Sequence, residues 1–68
     1  MTATLNLSKR EQHVVELVAN GHTDAEIAEI LGTGLSTART HLNSALLKLS
    51  ARNRAHCAVI AIRQGIIK

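Results

Sequence analysis

The sequence predicts an all-α domain of four helices, and three observations lead there. The 68 residues include no proline and only four scattered glycines, so little interrupts a helix from within. Two Ser/Thr-x-x-Glu boxes stand close together, at Ser8–Glu11 and Thr23–Glu26. Each marks a helix start, where the hydroxyl accepts from an amide one turn on and the carboxylate reaches back. Aliphatic residues then recur at helical spacing rather than in strict alternation.

The first helix opens at the Ser8 box, turns Val14, Val15, Leu17 and Val18 inward, and meets a natural stop at Asn20-Gly21. The second opens at Thr23, places Ile27, Ala28, Ile30 and Leu31 on its inner side, and ends after about two turns at Gly32. The third is expected from Leu35 or Ser36 to Leu49. At ~100° per residue, Ala38, Leu42, Ala45, Leu46 and Leu49 fall on one stripe. Ser36, Thr40, Asn43 and Leu47 fall on the opposite side, with Arg39 on the flank. Ser50-Ala51-Arg52 connects to a fourth helix capped by Asn53, which holds Cys57, Ala58, Ile60, Ala61 and Ile62 and closes at Gly65 before Ile66-Ile67. The expected division is an N-terminal arm over 1–6 and one domain over 7–68.

Composition narrows the class. At 46% hydrophobic residues the chain is globular rather than disordered. A chain this short buries only about 60% of its unfolded surface, so its core is marginal unless helices pack efficiently or subunits pair. The net charge of +3 is unevenly spread. Up to Glu29 two cations face five acids; beyond it Arg39, Lys48, Arg52, Arg54, Arg63 and Lys68 face none. One basic and one acidic half is the footprint of a domain that presents one side to a polyanion. The absence of Phe, Tyr and Trp argues against single-stranded nucleic acid or RNA sheets, which need aromatic faces for stacking.

Other chemistry finds little support. His13, His22, His41 and His56 are scattered over different segments and do not read as a metal set. Cys57 reads as a small buried hydrophobe, and its neighbour His56 points elsewhere on a helix, so no catalytic pair forms. No nucleophile–base pair or phosphate loop is visible; neither an enzyme nor a cofactor is expected. A lone cysteine gives no internal disulfide. With no signal peptide, and with Cys57 to Ile62 as the longest apolar run, a cytoplasmic protein without a membrane partner is expected.

Two short helices joined through Gly32-Thr33-Gly34, the second polar on its outer face, describe a helix-turn-helix. A helix fits the major groove of B-DNA, and its first amides can meet phosphate oxygens. The segment Leu35-Ser36-Thr37-Ala38-Arg39-Thr40-His41 is rich in hydroxyls and free of acids, as a DNA-facing end must be.

Four segments then resemble the DNA-binding domain of the LuxR/GerE (NarL-like) family of bacterial regulators. They are Leu7-Ser8-Lys9-Arg10-Glu11, Gly21-His22-Thr23-Asp24-Ala25-Glu26-Ile27-Ala28, Ser36-Thr37-Ala38-Arg39-Thr40-His41-Leu42 and Lys48-Leu49-Ser50-Ala51-Arg52-Asn53-Arg54. The family reads Leu-Thr-x-Arg-Glu, Gly-x-Ser-Asn-Lys-Glu-Ile-Ala, Thr-Val-Lys-x-His and Lys-Leu-x-Val-x-x-Arg there, in the same order and spacing.

The resemblance implies a third helix in the major groove and a fourth that mediates dimerisation on paired half-sites. It places Arg39 at the family's usual lysine, Thr40 and Asn43 at groove-facing positions, and Thr37 at the threonine near the helix start. Ser36, Arg39, Thr40 and Asn43 are therefore the candidate base or groove contacts; Arg39 suits guanine O6/N7 and Asn43 adenine. Thr23, Thr37, His41, Lys48, Arg52 and Arg54 are the candidate backbone contacts, Lys48 alternatively serving as a charge at a helix C-terminus. Val59, Ile60, Ile62, Arg63 and Ile66 are the candidate dimer seam.

Four departures stand out. Ala25 occupies the place of a common lysine, Ala38 that of valine with looser packing expected beneath the third helix, Gly34 that of a capping Ser or Thr, and Ser50 that of glycine. The expected protein is a homodimeric, sequence-specific regulator of double-stranded DNA without a small-molecule ligand, either stand-alone or cut from a longer chain. The alternative is an interaction module of the same fold that binds another regulator or RNA polymerase.

Overall fold

A computed structural model describes residues 7–65. The arm at 1–6, together with Ile66, Ile67 and Lys68, lies outside the described residues, and so does that part of the expected dimer seam. The described residues form α1 (Lys9–Ala19), α2 (Asp24–Leu31), α3 (Leu35–Lys48) and α4 (Arg54–Arg63), the all-α architecture that the sequence predicts.

Local chemistry sets the boundaries. In α1 the Ser8 Oγ accepts from the Glu11 amide at 3.0 Å, and Glu11 Oε1 accepts from the Ser8 amide at 2.9 Å. Thr23 and Glu26 repeat this exchange at 3.2 and 2.9 Å to start α2. Asn53 starts α4 by accepting from the His56 amide at 2.8 Å. Helix α3 begins at Gly34 with no side-chain cap, as the missing hydroxyl there implies.

The ends follow one pattern with one exception. After α1 and α2 the chain turns through Gly21 and Gly32 at φ 90° and 72°. A pair of reversed bonds closes each end: His22 N–H to the Leu17 carbonyl at 3.1 Å and Gly21 N–H to Val18 at 3.0 Å, then Thr33 N–H to Ala28 at 2.9 Å and Gly32 N–H to Glu29 at 3.2 Å. Helix α3 ends the same way, with Ala51 N–H to Leu46 at 2.9 Å and Ser50 N–H to Leu47 at 3.1 Å. Here the left-handed position is Ser50, at φ 56°, the one non-glycine residue with positive φ among those described.

The core has two lobes around α3. Val14, Leu17 and Val18 of α1 meet Ile27 and Ala28 of α2 and Ala38 and Leu42 of α3. On the other side Val15, Ala45, Leu49, Cys57 and Ala61 join α1, α3 and α4, and Leu46 packs against both lobes. Alanines at the contacts, Ala28, Ala38, Ala45 and Ala61, allow close approach of the helices. The stripes expected for α1 and α3 are the buried ones. Ile30, expected on the inner side of α2, is instead exposed. Ile27, Ala28 and Leu31 define that face, and Ile30 lies about 110° from its centre at 100° per residue.

Candidate nucleic-acid interface

Burying Ala38, Leu42, Ala45 and Leu49 turns the other side of α3 outward. Ser36, Thr37, Arg39, Thr40, Asn43 and Leu47 are all exposed, while His41 and Ser44 at the margins are half-buried. All four candidate groove residues thus share one exposed face of a helix that carries no acid of its own. The Thr40 hydroxyl donates to the Ser36 carbonyl at 3.0 Å, which fixes its rotamer and leaves its methyl group and oxygen lone pairs outward. Leu47 continues the same stripe and is 82% exposed.

The candidate backbone residues divide into two groups. Thr23 and Arg54 come together around a surface groove that the groove candidate Arg39 and Gly21, His22, Asp24, Ala25 and Leu35 also line. Lys48 and Arg52 lie away from it, at the far end of α3 and in the connector. The groove is organised by a residue that sequence reasoning passed over. Asp24, at the first position of α2, receives the Arg54 Nη1 on Oδ1 and the Arg39 Nε on Oδ2, the latter at 3.3 Å. The second terminal nitrogen of Arg54 also donates to the His22 carbonyl. Arg54 thereby ties the start of α4 to the start of α2, and Asp24 ties both to α3. The Arg54 guanidinium first, and Arg39 after it, hold Asp24 below the usual carboxylate range against the opposing effect of burial.

Lys48 is similarly committed. Its ammonium lies 2.8 Å from Glu11 Oε1. Glu11 is only 7% exposed, and the Lys48 bond chiefly, with the Ser8 amide next, lowers its pKa. One carboxylate therefore closes the cap of α1 and anchors the C-terminal end of α3. Expected as free charges for a polyanion, Lys48 and Arg54 each have an internal partner. Arg52 remains exposed on its side chain, while its amide donates to His56 Nδ1 at 3.0 Å. Asp24 does stand where the quoted family pattern has Asn, but no signal in the sequence pairs it with Arg39 and Arg54, or Glu11 with Lys48, because those pairs depend on how distant segments pack.

The remaining candidates sit as follows. Thr23 is exposed with its oxygen accepting the Glu26 amide, which leaves its proton for an outside acceptor. His22 Nδ1 stands 3.5 Å from Glu26 Oε1, one turn on. On α4, Val59, Ile62 and Arg63 are exposed, whereas Ile60 is half-buried and packs on the second core lobe; Ile66 lies outside the described residues. Cys57 is wholly buried, and burial pushes its thiol pKa up.

The chain matches the family described as bacterial regulatory proteins, luxR family, over residues 5–61. It is similar to the regulatory protein SdiA of Escherichia coli, 37% identical over 67 residues that cover 98% of this chain and 28% of that protein. It is also similar to the quorum sensing-dependent transcriptional regulator VjbR of Brucella melitensis, 43% identical over 61 residues, 90% of this chain and 24% of the other. The transcriptional activator RamA of Corynebacterium glutamicum is 41% identical over 64 residues, 94% and 23% of the two chains. The chain thus spans about a quarter of the length of these relatives. No solved structure matches it.

Proposed function

The chain belongs to the luxR family of bacterial regulatory proteins, and on that premise we propose that it is the unit of a transcriptional regulator that reads double-stranded DNA through α3. The observation that carries this reading is the outer face of α3. Ser36, Arg39, Thr40 and Asn43 stand side by side and exposed, with no acid on the helix. Such a face supplies donors and acceptors for base edges, and α3 adds no acid of its own to repel phosphates. Thr23, Thr37, His41 and Arg52 flank it as backbone contacts, joined by Lys48 and Arg54 where their internal partners yield.

The finer part of the proposal is a homodimer through α4. Val59 and Ile62 are 42% and 62% exposed, and Arg63 beside them is open to solvent. A two-fold pair would set two copies of α3 about one DNA turn apart, roughly 34 Å. The same apolar surface would serve another regulator or RNA polymerase if the chain acts as an interaction module.

Selection of bound sites from a random duplex pool tests the reading, followed by Arg39→Ala at fixed salt. A defined motif is expected, with affinity for it falling roughly 5- to 150-fold in the variant, the worth of one bidentate base contact. Absence of enrichment, or unchanged affinity in the variant, refutes a groove role for Arg39. Sedimentation reads the pairing: only monomer at high concentration, with and without duplex, refutes the seam.

A further inference from the structure

Asp24 stands out as a carboxylate placed among the cations of a surface proposed to meet a polyanion. We propose that it is a specificity-determining residue, which holds Arg39 in the one orientation that reads guanine. The inference rests on the duplex-reading role of α3 proposed above.

The geometry of the guanidinium carries the argument. Asp24 takes Arg39 by its Nε, at 3.3 Å on Oδ2. With Nε engaged, the side-on pairing of Nε with one terminal nitrogen is no longer open to a base. What remains is the end-on fork of the two terminal nitrogens, on a side chain that is 59% exposed. That fork matches guanine O6 and N7, both acceptors on one major-groove edge, while adenine presents a donor in place of O6.

Left unheld, an arginine on this flank could swing to a phosphate, a contact that carries no sequence information. Asp24 is itself held, because Arg54 bonds its other oxygen and the His22 carbonyl. The carboxylate therefore keeps its place rather than turning toward the DNA. Its negative charge weakens binding to any duplex, and only a site that satisfies the Arg39 fork offsets that loss. This is discrimination by a built-in repulsive element.

The test compares the wild-type chain with Asp24→Asn on the selected duplex, on that duplex with each guanine changed to adenine, and on unrelated duplex. We expect the guanine preference at the position sensitive to Arg39→Ala to fall roughly 5- to 150-fold, with binding to unrelated duplex equal or tighter. Retention of the preference by Asp24→Asn overturns the inference alone. So does equal loss of specific and unrelated binding in a variant that remains folded by circular dichroism. A wild-type chain that selects no duplex overturns the reading role and this inference together.

A second measurement needs no variant. In the wild-type complex the Arg39 Nε proton, bonded to Asp24, should stay protected from exchange while the terminal-nitrogen signals shift. Loss of that protection on binding the selected duplex overturns the proposal.

Discussion

Ser50 allows a quantitative check on the backbone. It occupies the left-handed position that closes α3, at φ 56°, with the same reversed bonds that Gly21 and Gly32 make after α1 and α2. An L-residue there carries a steric cost of about 1–2 kcal/mol, from its Cβ against the following carbonyl oxygen. Glycine removes that cost but loses more backbone entropy on folding, about 0.5–1 kcal/mol. Ser50→Gly should therefore stabilise the domain by about 0.5–1 kcal/mol. For a domain of this size, where 1 kcal/mol moves Tm by roughly 4–8 °C, that raises Tm by about 2–8 °C. Reversible thermal unfolding followed by far-UV circular dichroism measures it, with Ser50→Ala as the control that keeps the Cβ and should gain nothing. A Ser50→Gly variant no more stable than Ser50→Ala would show that the strain argument is wrong at this helix end.

The Glu11–Lys48 pair predicts a coupling. Glu11→Gln keeps an oxygen for the Ser8 amide but removes the charge opposite Lys48, and should cost about 1.5–3 kcal/mol, the range for a hydrogen bond to an ionised group. Lys48→Met strands a buried carboxylate and should cost a similar amount, while the double variant should lose clearly less than the sum; additive losses in urea titrations would contradict the pairing. Acid should unfold the domain for a related reason. Glu11 and Asp24 have folded pKa values held below their ordinary ones, by Lys48 and Arg54 respectively, so the unfolded chain takes up protons first as pH falls. Their stabilisation is fully present above about pH 5 and is lost as pH drops through about 4 and below. Urea midpoints should fall between neutral pH and pH 3, less steeply in Glu11→Gln, and a flat profile would refute the assignment.

What the sequence disclosed and what it withheld divide along range. The caps at Ser8, Thr23 and Asn53 and the missing cap at Gly34 depend on neighbours within one turn, and all could be read directly. So could the buried stripe Ala38, Leu42, Ala45 and Leu49, because helical periodicity alone selects it. Within a two-turn helix periodicity is less decisive: it admits Ile30 to the inner side, although the better-placed Ile27, Ala28 and Leu31 already fill that face. The ion pairs made by Asp24 and Glu11 join residues 15, 30 and 37 apart. Choosing among many opposite charges at that range requires the packing itself. For the same reason the exposed set on α3 was foreseeable, and the restraint on Arg39, Arg54 and Lys48 was not.

Cys57 has a practical consequence. It is the sole thiol of a chain with no Phe, Tyr or Trp, and it is sealed between α1, α3 and α4. A chromogenic disulfide reagent can reach it only when those helices part. Its labelling rate is thus an internal clock of opening events, legible without any added fluorophore. Bound duplex or a second subunit that clamps the bundle would slow that clock.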